Sequence, residues 1–218
     1  TNPSVSQDGV LVYREGASAR PVQLVWRDRK GRVLGRIGVP QLNLNHPRLS
    51  PDGRYVVASG DDNQHKGLWI HEVDRPKRRR FTFSTLGAHS ATWSPSGEFL
   101  VYSDNGSRDV SNLQVKALLD PSAKGEPLLP PGWNGFPSAW SRDGRRILFT
   151  TRNKVRAPGA PYSDEIWYLE RVGDSSKFEA HRYFGIPQCS SVWPSISPDG
   201  RHVAYVSDHT GAEEVWVS

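Results

Sequence analysis

The chain has 218 residues, 28 lysines and arginines against 23 acidic residues, and a formal charge of +5. No apolar run approaches the ~18 residues that a membrane-spanning helix needs, and a single cysteine, Cys189, excludes an internal disulfide framework. The modest basic excess permits an acidic partner without requiring one.

Length and a hydrophobic content of 36%, with 8 Trp, suit one large β domain, and 20 Gly with 17 Pro punctuate it heavily. The chain opens at Thr1 without methionine, so it is expected to be a mature or excised piece.

Along the chain one short sentence recurs: an apolar inner strand, a turn, and an alternating strand. The turns are Ser6-Gln7-Asp8-Gly9, Ser50-Pro51-Asp52-Gly53, Ser94-Pro95-Ser96-Gly97, Ser141-Arg142-Asp143-Gly144 and Ser197-Pro198-Asp199-Gly200. Proline pre-sets φ, aspartate bonds to its own backbone, and glycine takes the left-handed position that reverses the chain. The serines are spaced 44, 44, 47 and 56 residues apart. A period of roughly 40–50 residues with four strands per unit is the signature of propeller blades. Helical repeats of that length are excluded, because nothing runs apolar at helical spacing for three turns.

In chain order, the inner strands are expected at Pro3 to Ser6, Pro47 to Ser50, Ala91 to Ser94, Ser138 to Ser141 and Pro194 to Ser197. Second strands follow each turn, and third strands carry Trp26, Trp69, Val115, Trp167 and Trp216. Looser fourth strands close the first four units, giving blades at approximately 3–38, 46–83, 90–129 and 137–184, with 193–218 incomplete. The fold class is all-β: a partial β-propeller of four-stranded blades in a single domain, 1–218, with about five repeats. An open ring leaves strand edges exposed, so continuation to a sixth blade, or association through the open edge, is expected. Trp93 and Trp140, each one before the turn serine, are read as packing between blades.

The S-x-D-G turn after a P-x-hydrophobic-S strand, with tryptophan-bearing strands following, resembles the WD-like propeller repeats of the TolB type. Similar repeats occur in the propellers of prolyl-oligopeptidase relatives. The opening Ser4-Val5-Ser6-Gln7-Asp8-Gly9-Val10-Leu11-Val12-Tyr13, with Gln23-Leu24-Val25-Trp26-Arg27-Asp28-Arg29-Lys30-Gly31, resembles the extracytoplasmic C-terminal propellers of some bacterial serine/threonine protein kinases. The resemblance implies a periplasmic or other extracytoplasmic setting, with a cytoplasmic one as the alternative, and a role in binding. Ser96 replaces the aspartate of the third turn, and Gln7 and Arg142 replace proline, which loosens those turns without removing them. The kinase signatures themselves are absent from the chain.

Chemistry is sparse. The nearest approach to a nucleophile elbow, Gly16-Ala17-Ser18-Ala19-Arg20, ends in arginine where glycine belongs. The inner strands carry no carboxylate and only Arg48 among charged residues, which counts against a glycosidase acid pair. The histidines lack metal-ligand spacing, and Asp61-Asp62-Asn63 lacks the length of a calcium loop. No metal, no cofactor and no catalytic residue is expected. The run Arg75-Pro76-Lys77-Arg78-Arg79-Arg80 alternates across a strand, which spoils a single basic patch and disfavours nucleic acid as a partner.

The segments entering each inner strand gather at one end of a propeller channel. They hold Leu42 and Leu44, which have no place in the alternating strands, and the candidate binding residues His46, His89, Trp133, Asn134, Phe136 and Trp193. These loops are expected either to cap the blade tops or, as candidate binding residues, to form a mixed aromatic and polar surface for a protein or peptide. On this reading Trp133 and Phe136 should tolerate alanine with little loss of stability. The insertion Asn153 to Ser163 is expected at the opposite end of the channel. The best functional reading is a non-enzymatic scaffold or sensory domain binding a protein, peptide or envelope component. The alternative is the gating propeller of a prolyl-oligopeptidase-like serine peptidase whose catalytic domain lies outside this chain.

Overall fold

A computed structural model describes residues 4–5, 11–15, 20–107, 110–120, 122–152, 163–173 and 175–218, and every regular element among them is a strand. The first seven are β1 (Ser4–Val5), β2 (Leu11–Glu15), β3 (Val22–Arg27), β4 (Val33–Leu49), β5 (Tyr55–Asp61), β6 (Lys66–Glu72) and β7 (Arg78–Arg80). Then come β8 (Ala88–Trp93), β9 (Phe99–Ser107), β10 (Val110–Ala117) and β11 (Glu126–Pro127). The last are β12 (Phe136–Trp140), β13 (Arg146–Arg152), β14 (Asp164–Arg171), β15 (Phe178–Phe184), β16 (Ser191–Ile196), β17 (Val203–Ser207) and β18 (Glu214–Val217).

They form four antiparallel sheets set around a channel, a β-propeller architecture. The seven-stranded sheet is two successive blades sharing β4, whose first half pairs with β3 and whose second half pairs with β5. The next two sheets are the four-stranded sets β8–β11 and β12–β15, and the last holds β16, β17 and β18.

The turns behave as their residues dictate. Ser50 Oγ donates to Asp52 Oδ1 at 2.6 Å and accepts from the Tyr55 amide at 2.9 Å. Gly53, at φ 72°, donates its amide to the Ser50 carbonyl at 2.9 Å. Ser141 with Asp143, and Ser197 with Asp199, repeat the hydroxyl–carboxylate bond at 2.6 Å. In the third copy the partner is Ser96, and the bond lengthens to 3.2 Å. The first turn, Ser6 to Gly9, lies outside the described residues.

Alternation in each second strand feeds two blade interfaces at once. On β5, Val56 and Ala58 pack with Val22, Leu24 and Ile37 of the preceding blade, whereas Val57 joins Trp93, Leu100 and Tyr102 of the next. On β9, Val101 turns the other way, to Ile147 and Phe149 on β13. Leu148 then packs with Tyr205 on β17. Each fully buried Leu, Ile or Phe contributes about 1.5–3 kcal/mol against exposure, so the blades are cemented face to face. Trp93 is buried here and donates its indole N–H to the Arg48 carbonyl of the preceding blade at 2.9 Å. Trp140 packs at the β10–β13 interface, edge-on to Phe178.

Three local expectations change. The segments read as rim loops run partly into strand: Gln41 to His46 lies inside β4, and His89, Phe136 and Trp193 lie in β8, β12 and β16, whereas Trp133 and Asn134 stay outside the strands. The chain bends there without breaking, through register shifts and left-handed φ at Gly38, Asn43 and His46. Leu44 is therefore core, at 0% exposure, because the irregularities reset the alternation that the sequence shows as uniform. The arginines of β7 are ties between blades. Arg78 donates to the Pro40 carbonyl at 3.0 Å and Arg79 to the Leu118 carbonyl at 2.9 Å, on opposite sides.

Candidate functional site

The inner strands share an irregularity that the turn spacing locates. Four residues before the turn serine stand His46, Ser90, Pro137 and Trp193. At each of these positions the ladder to the second strand shifts register. His46, Ser90 and Trp193 hold φ of 50°, 45° and 53°, a conformation that costs a non-glycine residue about 1 kcal/mol or more. A bulge of this kind re-aims the side chain at one point of the strand. All four residues line one cavity of about 600 Å³ at the channel.

The cavity wall also includes Arg48, Phe136, Ser138, Val192 and Ser195 from the inner strands, with Thr150 and Arg152 from β13 and Asp164 from β14. Arg152 donates to Asp164 across 3.0 Å, so those two charges offset one another. Arg48 donates from Nη1 to the Pro47 carbonyl at 3.2 Å, and its burial lowers the guanidinium pKa, although arginine stays charged at any working pH. Burial is the main reason His46 titrates below the ordinary imidazole range, with the positive Arg48 and His89 adding to it. Trp193 is 59% exposed, a large apolar surface left open at the cavity.

The six sequence-selected residues separate into two groups. His46, Phe136 and Trp193 meet at the cavity. His89 lies against Phe136, ring on ring at 5.7 Å, and its Nε2–H donates to Asn105 Oδ1 at 3.2 Å. Burial lowers the pKa of His89 too, against the raising effect of Asn105 and Asp104. Trp133 instead stands edge-on to Trp167 at 4.9 Å and joins the β10–β13 interface. Asn134 Oδ1 accepts from the Ser111 amide at 2.7 Å, holding its segment to β10. Sequence reasoning passed over Ser90, Thr150, Arg152, Asp164 and Ser195. For Ser90 the signal was present, since it shares the register of His46 and Trp193. Of the Asn153 to Ser163 insertion, residues 153–162 lie outside the described residues.

The one carboxylate on the described wall, Asp164, is already in an ion pair, so the lining offers recognition groups and no acid pair. Asp61 and Asp62 direct Oδ1 to backbone amides of Asn63, Gln64 and His65, which is turn geometry. Among the described residues no helix is long and apolar enough to cross a membrane.

No protein-family model matches the chain, and no curated protein matches it in sequence. Solved structures do. TolB from Acinetobacter baumannii superposes with a TM-score of 0.75 at 16% identity, covering 100% of this chain and 51% of that one. A TolB structure from Agrobacterium tumefaciens gives 0.71 at 22% identity, covering 94% and 68%. A puromycin-hydrolyzing peptidase of Mycobacterium tuberculosis gives 0.67 at 16% identity, covering 99% of this chain and 35% of that one. The chain thus spans about half the length of the Acinetobacter protein. At these identities the likeness is one of fold, and the fold is that of the TolB-like β-propeller.

Proposed function

We propose that this chain is a non-enzymatic binding propeller that takes a segment of a protein or peptide, or an envelope component, at its channel cavity. One observation carries the reading: four inner strands shift register at the same point, three of them with left-handed backbone strain at His46, Ser90 and Trp193, and these positions converge on one cavity with an exposed tryptophan. Strain kept at equivalent positions marks a site more readily than a packing need. The TolB likeness supports an extracytoplasmic setting, and the kinase-like opening supports a sensory role. Screening the chain against an immobilised library of extended peptides tests the reading. Binders should emerge, and Trp193→Ala or Phe136→Ala should weaken them about tenfold, as loss of an aromatic anchor does. A library that yields no binder, or binders indifferent to both changes, overturns it.

The likeness to a puromycin-hydrolyzing peptidase favours a second reading, the gating propeller of a serine peptidase. There the cavity would pass substrate without retaining it. The two separate on the parent polypeptide: an α/β-hydrolase domain belongs to the gate, a kinase and a membrane span to the sensor.

A further inference from the structure

Resting on the peptide-binding reading, we propose that the channel cavity is a carboxylate site. In it Arg48 takes the carboxylate of a bound peptide, and the neighbouring apolar side chain lies on Trp193 and Phe136.

The argument starts from charge. Of the charged residues on the described wall, Arg152 and Asp164 neutralise one another at 3.0 Å. His46, held below its ordinary range by burial, is neutral at neutral pH. That leaves Arg48, half-buried, with a main-chain carbonyl as its hydrogen-bond acceptor and no carboxylate partner among the described residues. A guanidinium carries five donors in a planar fork that matches a carboxylate edge to edge. Withdrawing such a charge from water without a counter-ion is costly, and an arriving anion recovers that cost.

Position gives a second line. Arg48 stands two before the turn serine, where the other described copies have Thr92, Ala139 and Ser195. The blade needs no charge there, since three copies build the same strand without one. Thr150 gives a third: it lines the cavity, is 5% exposed, and its hydroxyl has no partner among the described residues. A buried polar group left unpaired in a folded protein calls for an explanation, and a carboxylate oxygen supplies the acceptor it lacks.

Size and composition choose the anion. One unpaired guanidinium among neutral groups suits a monoanion better than a phosphate dianion. A cavity of about 600 Å³ walled by an indole and a phenyl ring admits an acidic group with an apolar neighbour. Both the free C-terminus of a peptide and an acidic side group within one fit that description.

The test uses the full chain and three probes: acetyl-Ala-Ala-Phe as the free acid, the same peptide as its amide, and acetyl-Ala-Glu-Phe-amide. At least one acidic probe should bind about tenfold or more tighter than the neutral amide, the worth of one charge-assisted pair. Preference for the free acid assigns a C-terminus, and preference for the internal glutamate assigns a side chain. Arg48→Gln should bring acid and amide within about twofold, and Arg48→Lys should keep part of the preference because it keeps the charge without the fork. Equal binding of all three probes overturns the proposal, as does an acid preference that survives Arg48→Gln, or no binding by any probe. The acid-to-amide ratio on the unmodified protein needs no variant, so a poorly folding Arg48→Gln leaves the test intact. Equal binding of all three that Trp193→Ala abolishes defeats the carboxylate site and spares the peptide reading. An empty library screen defeats the peptide reading itself.

Discussion

The two ends of each inner strand obey opposite rules. At the exit the residues repeat and so does the chemistry: serine hydroxyl to carboxylate, amide to serine, glycine at φ 72–73° in the second, fourth and fifth turns. Four residues earlier the backbone event repeats, but the residues are His46, Ser90, Pro137 and Trp193. Where side chain and backbone recur together, the side chain serves the backbone. Where the backbone recurs and the side chain varies, the side chain is free to serve something else. The cavity is built from the second kind of position.

The largest test of that contrast compares two tryptophans. Trp133 packs edge-on to Trp167 at a blade interface, whereas Trp193 is open at the cavity. Trp133→Ala is expected to cost about 3 kcal/mol, a fall of roughly 6–12 °C in melting temperature at this chain length. This reverses the expectation from sequence that Trp133 tolerates alanine. Trp193→Gly removes a larger exposed ring and relieves φ of 53°, so stability should hold or rise by up to about 1 kcal/mol. Thermal melts of both variants decide it, and a comparable fall in each would erase the distinction.

His71 sharpens the rule, because it does not repeat and yet serves packing. It is wholly buried on β6 against the preceding blade, where a Cβ on Gly38 would come within 2.5 Å of its Nδ1. With its amide oriented to suit its neighbours, Gln41 donates to His71 Nε2 at 3.2 Å. Burial first, and then the positive Arg78, push the imidazole down to about 4. The folded value lies below the unfolded one, so its neutral form stabilises the fold fully above pH 6.5. That contribution is lost as pH falls from 6.5 towards 4, by about 3 kcal/mol in all. His46 and His89 shift in the same direction, so the informative quantity is wild type minus His71→Leu in denaturant titrations at pH 7 and pH 4. A difference that does not change between those pH values would show that the imidazole titrates normally.

What was legible from sequence follows the same division. The all-β propeller architecture, the four described turns and the strands that follow them could be read because proline, aspartate and glycine act within four residues and alternation has a fixed period. The bulges could not. Nothing in Asn43-Leu44-Asn45-His46 shows that left-handed residues reset the alternation within β4 and send Leu44 into the core. Nothing near Arg79 in the sequence shows that it ties two blades, because its acceptor, the Leu118 carbonyl, is 39 residues away. The cavity was half legible: the aromatics and histidines stood out, but Arg48 counted only as an exception among uncharged strands.

The smallest effect tests the repeated end, and there the protein supplies its own comparison. Ser94 meets Ser96 at 3.2 Å where the other described turns have a carboxylate at 2.6 Å. The Asp52, Asp143 and Asp199 carboxyls all sit below their ordinary range, Asp143 and Asp199 chiefly through the serine hydroxyl, and Asp199 falls to about 2. For Asp52 the largest single influence is burial, which acts the other way and is outweighed by Ser50 and the Arg54 amide together. Ser96→Asp should import the charge-assisted bond and stabilise the fold by up to about 1 kcal/mol. Ser141→Ala, which leaves the Arg146 amide without its 2.8 Å acceptor, should cost about 1–2 kcal/mol. The gain at Ser96 belongs to an ionised carboxylate, so it should be present at pH 7 and disappear below about pH 3 as the group protonates. If Ser96→Asp destabilises at pH 7 instead, the third turn differs from its siblings in more than one side chain, and repetition at this end of the strand is looser than the shared geometry implies.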